Sequence, residues 1–325
     1  MTPSPTHRLP ASSAVLIAGG SGAFVAIQSA VNGLLGSALG SPLAAAVISF
    51  GGGFLCLGAL TMAFPSIRLG LHRLRMSNLP LWMYLGGCMG ALMVLTAATA
   101  TPVIGVALFT IALVSGNVVG GLITDAIGLS PAGRFQLSRP RIAGSALAIL
   151  AIVVAQFNNG ETGFAWLLIT LSFLVGAGAA VQASLNTHVS AHAGNGFSMS
   201  VINFFAGTVV LLLIAVPVSL AADWNTLQFP TSWWLYLGGP YGIGLVICAV
   251  IAVRHIGTLG FALGALVGQL SIGMALDLLI SGDPPTWQVL TGAALAALAA
   301  WMATARRQPP RQTAAAAPQQ SASLH

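Results

Sequence analysis

Between residues 14 and 304 the chain passes through ten apolar runs, and almost nothing charged interrupts them. A bilayer core is spanned by about 20 consecutive apolar residues in a helix. The runs fall at roughly 14–36, 42–64, 80–100, 102–126, 141–157, 164–186, 197–219, 233–253, 257–281 and 286–304. Charged residues make up only 5% of the chain, against about 25% in an ordinary soluble domain. Inside hydrocarbon every backbone group must be satisfied internally, and runs of this length achieve that as helices. The expectation is therefore an all-α, polytopic membrane protein with ten transmembrane helices. Residues 1–13 and 305–325 are polar and proline-bearing and are expected to be disordered, the latter as a cytoplasmic tail. The first run follows Arg8 as a signal peptide would, but its length and the spans after it mark it as retained. Pro102 stands between the third and fourth runs, where a proline suits a helix start.

The arginines test this count. The net charge is +6, carried by 11 arginines and no lysine. With the N-terminus in the cytoplasm, the inner segments hold Arg8, then Arg68, Arg73 and Arg75, then Arg134 and Arg139, then Arg254, and Arg306, Arg307 and Arg311. Arg141 sits at the same boundary, while Glu161, Asp223 and Asp283 fall in outer loops. This sorting follows the positive-inside rule and places both termini in the cytoplasm of a bacterial-type inner (plasma) membrane. Scattered in this way, the basic residues point to a lipid bilayer as partner and to no nucleic acid. Cys56, Cys88 and Cys248 lie in apolar runs and are expected as buried small hydrophobes. His188, His192 and His255 fall in connections with no metal spacing.

The chain repeats itself. An offset of 154 aligns Gln28 with Gln182, Asn32 with Asn186, Ser49 with Asn203, Phe50 with Phe204 and Gly53 with Gly207. An offset of 152 aligns Trp82-x-Tyr84-Leu-Gly86-Gly87 with Trp234-x-Tyr236-Leu-Gly238-Gly239, and continues through Gly105 with Gly257, Asn117 with Gln269 and Asp125 with Asp277. The halves are residues 14–157 and 164–304, joined by an outer linker at 158–163. Five spans per half is an odd number, so the halves enter the membrane in opposite orientations, as in inverted-repeat transporters.

Within each half a glutamine and an asparagine sit four residues apart, on one face of a helix. Such amides serve either as interhelical glue or as the lining of a polar cavity. Because an amide both donates and accepts, a cavity lined by them suits neutral or zwitterionic solutes. The candidate substrate-binding residues are Gln28, Asn32, Gln182, Asn186, Asn117, Gln269, Ser49 and Asn203. Asp125 and Asp277 are candidates for coupling or gating, or else interfacial carboxylates, with Arg134 or Arg139 as a partner for Asp125. The tryptophans and tyrosines that open the third and eighth spans read as an interfacial aromatic belt. Gly51-Gly52-Gly53 lacks the strand–turn–helix setting of a phosphate loop. No catalytic set, cofactor motif or metal cluster is evident, so an enzyme is not expected.

Taken together, the repeated G-x-x-x-x-x-Q-x-x-x-N run, the S/N-F-x-x-G that follows it and the W-x-Y-L-G-G starts resemble the YdcZ-like branch of the drug/metabolite transporter superfamily. The resemblance covers residues 14 to 304. It implies a ten-helix fold with a central cavity, the fifth and tenth spans lying peripherally, and transport of small solutes by alternating access; the expected function is a secondary transporter that exports a small polar metabolite or drug. Small multidrug exporters related to this branch couple protons through a glutamate in the first helix. Here the first and sixth spans contain no acid, so that route is not expected. The alternatives are a lipid scramblase or flippase, and a non-transporting scaffold or receptor. Oligomeric state stays open, a homodimer included.

Overall fold

The structure, a computed structural model, describes residues 10–129, 138–156, 163–221 and 227–304. The regular elements among these residues are all helices: α1 (Ala11–Leu39), α2 (Pro42–Ala63), α3 (Pro65–Met76), α4 (Gly86–Ile104), α5 (Val106–Ile127), α6 (Arg139–Ala155), α7 (Gly163–Ala193), α8 (Gly196–Ala221), α9 (Gly238–Ser281) and α10 (Trp287–Thr304). Short 3₁₀ turns at Leu81–Leu85 and Trp233–Leu237 precede α4 and α9. Seven helical stretches are long and apolar enough to cross a membrane. The remaining three of the ten expected spans are shorter: α6 has 17 residues, and the others are the apolar stretches Trp233–Ala249 and Trp287–Ala303. The linker expected at 158–163 and the tail at 305–325 lie almost wholly outside the described residues, as do residues 1–9 of the N-terminus, but helix already begins at Ala11.

Local signals set the helix ends. Ser41 caps α2 by accepting the Ala44 N–H at 3.2 Å, and Pro42 fills the first position, where no N–H is needed. The Asn195 side chain accepts the Ser198 N–H at 2.8 Å at the start of α8. Between α4 and α5 the chain reverses at Gly105, not at Pro102, which lies inside the last turn of α4. The reversal uses φ 79°, ψ 163°, a region open to glycine and barred to proline, whose ring fixes φ near −65°. The inner segment that carries Arg68, Arg73 and Arg75 contains α3, whose Ile67, Gly70 and Leu74 form the buried face. Its partner surface is the cytoplasmic end of α7 and α8 expected from the sequence, and α7 itself extends to Ala193, beyond the anticipated end of the sixth span.

The long helical stretch α9 contains a reversal of direction. Gly242 lies against Gln28 and Gly244 against Phe24, so this limb runs antiparallel to α1. Further on, Gly264 meets Ala18 and Ala265 meets Gly22, while Ile272 and Leu276 pack on the cluster containing Ala26 and Ala30, so the second limb runs parallel to α1. In a straight helix Gly242 and Ala265 would be about 35 Å apart, yet both touch α1 within two turns of one another. The turn falls between Gly244 and Gly264, the interval that contains the connection expected at 254–256.

The principal helix pairs exchange with one another when the two halves of the sequence are exchanged, although α1 also packs on α4 and α5 on α10 without an equivalent in the other half. α1 packs on α9, and α7 packs on α5 and α4; α2 packs on α8, and α6 on α10. The glycines carry this down to single residues. A methyl group on Gly22 would strike the Ala265 backbone, and one on Gly176 would strike the equivalent Leu113 backbone. Likewise Gly268 abuts Gly19, and Gly116 abuts the equivalent Phe173. Such backbone-to-backbone approach is how helices associate where no hydrophobic force separates them from lipid. The α2–α8 pair is antiparallel, since Gly53 faces Phe204 while Gly207 faces Phe50. The α6–α10 pair is antiparallel too, with Gly144 on Ala299 and Gly292 on Ala155.

Candidate functional site

Two polar clusters lie at related positions, each built by the first two helices of one half and closed by the third helix of the other. In the first, Asn32 of α1 and Ser49 of α2 converge on Gly238, where any side chain would collide with both. One turn away, Gln28 Nε2 lies 3.2 Å from where a Cβ on Gly242 would stand. In the second, Asn186 of α7 and Asn203 of α8 face Gly86, at 2.9 and 3.4 Å from its Cβ position, and Gln182 Nε2 lies 2.9 Å from that of Gly90. The tryptophan, tyrosine and glycines of the W-x-Y-L-G-G motif have separate places in this arrangement. The tryptophans Trp82 and Trp234 point outward. Tyr84 donates its hydroxyl to Leu74 O at 3.1 Å, and Tyr236 to Pro230 O at 2.9 Å, each fixing the segment before the turn. The paired glycines let the next helix settle against an amide cluster of the other half.

Phe50 and Phe204 stand between the clusters. Their ring centroids are 5.1 Å apart with planes tilted by 37°, within the favourable range for an aromatic pair. Each ring rests on the other half's glycine: Phe50 over Gly207, Phe204 over Gly53. Phe204 also approaches Gly242 beside Gln28, and Phe50 approaches Gly90 beside Gln182. The order along the middle of the protein is thus the Asn32 cluster, the phenylalanine pair, and the Asn186 cluster. Among the described residues no hydrogen bond joins the two amide sets, which face glycines and not each other.

The clusters differ in how their polar atoms are satisfied. Asn203 Nδ2 donates to Asn186 Oδ1 at 2.8 Å. Asn32 is fully buried, and neither its Oδ1 nor its Nδ2 has a protein partner; the Ser49 hydroxyl is likewise buried and unpartnered. Buried side-chain polar groups are bonded in the large majority of cases, so an amide left with both ends free is unusual. Gln269 of α9 lies beside Gly22 of α1 and has a buried Nε2 without a partner. Asn117, its counterpart on α5, is exposed. Cys56, expected as buried, is exposed on α2.

The two carboxylates take separate structural roles. Asp125 is buried and ion-paired with Arg141, 2.5 Å away, and not with Arg139; Arg134 lies outside the described residues. Arg141 is buried as well, so the pair sits inside the protein and not at its periphery. Asp277 accepts the Val106 N–H at 2.6 Å and the Ala107 N–H at 2.7 Å, capping the N-terminus of α5 from the opposite half of the chain. Nothing in the sequence signals this contact, because the partners are some 170 residues apart.

Comparison with known proteins bears on what such an arrangement is for. The profile of the family described as "Putative inner membrane exporter, YdcZ" matches residues 13–154 and 167–302. The chain belongs to this family. It is accordingly a membrane protein of an inner-membrane exporter family, and the resemblance read from the Gln/Asn, S/N-F-x-x-G and W-x-Y-L-G-G motifs is correct at that level. No curated protein matches the chain. A solved structure described as "Crystal structure of protein" aligns with 90% of this chain and 97% of its own, at 19% identity and a TM-score of 0.48.

Proposed function

We propose that this YdcZ-family chain is a secondary transporter that exports a small polar solute by alternating access, with ten spans arranged as two inverted five-helix halves and both termini in the cytoplasm. The observation that carries the reading is the exchange symmetry of the contacts. Each half presents a Gln/Asn face to the glycine face of the other, with Phe50 and Phe204 as the barrier between. In an inverted repeat the same packing formed on opposite sides of the membrane gives two gates of one kind, and exchanging their states moves a central site from one face to the other. The Asn32 cluster then belongs to the outer half of the membrane and the Asn186 cluster to the inner half.

Gln28, Asn32 and Ser49, with Gln182, Asn186 and Asn203, are the solute-contact residues in this reading. They offer donors and acceptors with no fixed charge, which suits a neutral or zwitterionic solute. A scaffold whose amides only hold helices together would leave them bonded to each other. That describes Asn186 and Asn203 but not Asn32, whose free donor and acceptor favour a solute contact.

A thermal-stabilisation screen of the purified protein against small polar metabolites and drugs tests the proposal, since a ligand specific for the folded state raises the melting temperature by mass action. A stabilising solute should also be carried into proteoliposomes, and Gln28→Leu should lose both effects. Stabilisation by solutes that never cross the bilayer would favour the receptor reading instead.

A further inference from the structure

Helix α3 lies apart from the amide clusters and is held in place by side-chain hydrogen bonds. Ser198 Oγ donates to Ile67 O at 2.9 Å and Asn195 Nδ2 to Ser66 O at 3.0 Å, so the helix is pinned to the start of α8. Leu74 packs with Val189 and Ala193 of α7. The other side of α3 carries Arg68, His72, Arg73 and Arg75, all exposed, and no acid. Two described acids are engaged elsewhere: Asp125 with Arg141, and Asp277 at the start of α5. Arg68 donates to the Met62 carbonyl at 2.7 Å. Arg75 makes no hydrogen bond or ion pair among the described residues.

Beside Arg75 a cleft of about 340 Å³ opens between α3, the turn that follows it and α8. Leu71, Leu79, Leu81 and Ile202 form apolar walls, with Ser77 and Tyr84 at its polar edge. Those two hydroxyls are bonded to each other and to the Leu74 carbonyl, so Arg75 is the free polar group of the lining. The rim is greasy: Leu81 is 84% exposed and Met76 67%, with Trp82 alongside. Arginines on one face, exposed leucine, methionine and tryptophan around it, and an apolar span on either side are the composition of a helix suited to the plane of a membrane interface.

We propose that this cleft is a binding site for an anionic phospholipid, with the headgroup phosphate on Arg75 and the start of one acyl chain along Leu71, Leu79, Leu81 and Ile202. An unpaired guanidinium recognises phosphate through directed, charge-assisted hydrogen bonds, and the apolar walls take a chain that a free phosphate lacks. The site depends on the membrane assignment but not on the transport mechanism.

The test uses delipidated full-length protein in detergent, titrated with phosphatidylglycerol, with phosphatidylcholine and with inorganic phosphate, and read by thermal shift and native mass spectrometry. Phosphatidylglycerol should bind and stabilise well beyond phosphatidylcholine, and phosphate alone should not. Arg75→Gln should weaken phosphatidylglycerol roughly tenfold. Leu79→Trp, filling the cleft while keeping the arginine, should do likewise. Arg73→Gln, the same charge removed two residues away, should retain binding. Equal stabilisation by the two lipids, equal losses in Arg73→Gln and Arg75→Gln, or a full effect from inorganic phosphate would each overturn the proposal. Should Leu79→Trp fail to give a monodisperse protein, the comparison of the two arginine variants decides alone.

Discussion

Replacing Asp277 with alanine removes both acceptors that hold the first two N–H groups of α5, at 2.6 and 2.7 Å. Loss of a helix N-cap costs about 0.5–2 kcal/mol, and hydrogen bonds to a charged group lie at about 1.5–3 kcal/mol each. Asp277 is half-buried, so water recovers part of this; we expect about 2 kcal/mol, or about 3 °C in melting temperature for a chain of this size. The Asp277→Asn variant keeps one acceptor and turns its NH₂ toward an N–H donor, so about half that loss should appear. Gly105→Ala acts on the same junction. Its φ of 79° is strained for alanine by about 1–3 kcal/mol, and its Cβ would stand 3.0 Å from Asp277 Oδ2. Because alanine there would itself displace the carboxylate, the double variant should lose less than the sum of the single losses, by at least about 0.5 kcal/mol. A thiol-reactive dye suits the assay, since half-buried Cys88 and Cys248 become reactive on unfolding, whereas exposed Cys56 reacts from the start. An Asp277→Ala protein melting within experimental error of wild type, or strict additivity with Gly105→Ala, would refute the cap.

Other expectations follow from the same geometry. Asn32→Leu removes an amide with no partner and should be neutral or stabilising in melting temperature while abolishing flux, whereas Asn186→Leu breaks the bond to Asn203 and should destabilise by about 1 kcal/mol. Gly116→Ala and Gly268→Ala drive a methyl into the backbone of Phe173 and of Gly19, and both should fail to give monodisperse protein on size exclusion. Gly52→Ala, with open space around its Cβ, should melt at or up to about 1 kcal/mol above wild type. Arg141→Ala breaks the buried ion pair with Asp125 and should cost up to about 3–5 kcal/mol, measurable as a drop in melting temperature.

What the sequence revealed and what it hid divide along physical lines. Span positions and the duplicated register were legible because composition and repetition are local properties. The Trp, Tyr and Gly of W-x-Y-L-G-G were visible as a motif, but the duty of its glycines depends on Asn32 and Asn186 in the opposite half. Phe50 and Phe204 were aligned by the repeat without any sign that they stack on one another. The Asp277–α5 contact was hidden for the same reason, its partners being some 170 residues apart, whereas an arginine partner for Asp125 was expected and only its position, Arg141 and not Arg139, had to come from the structure. Gly105 in place of Pro102 is different, since a reversal this tight demands positive φ and only the glycine supplies it. Helix α3 was not anticipated: only its arginines were read, as orientation signals, and the spacing of Ile67, Gly70 and Leu74 was the signal that could have found it.

The proposed mechanism centres on two amide clusters and assigns them to opposite sides of the membrane. Single cysteines at positions 32 and 186, in protein with Cys56, Cys88 and Cys248 replaced, can be challenged with a membrane-impermeant maleimide in right-side-out and inside-out vesicles. Labelling of position 32 from the periplasmic side and of position 186 from the cytoplasmic side is the predicted result, with a bound solute raising one rate while lowering the other. Labelling of both positions from the same side, or rates that rise and fall together, would contradict it.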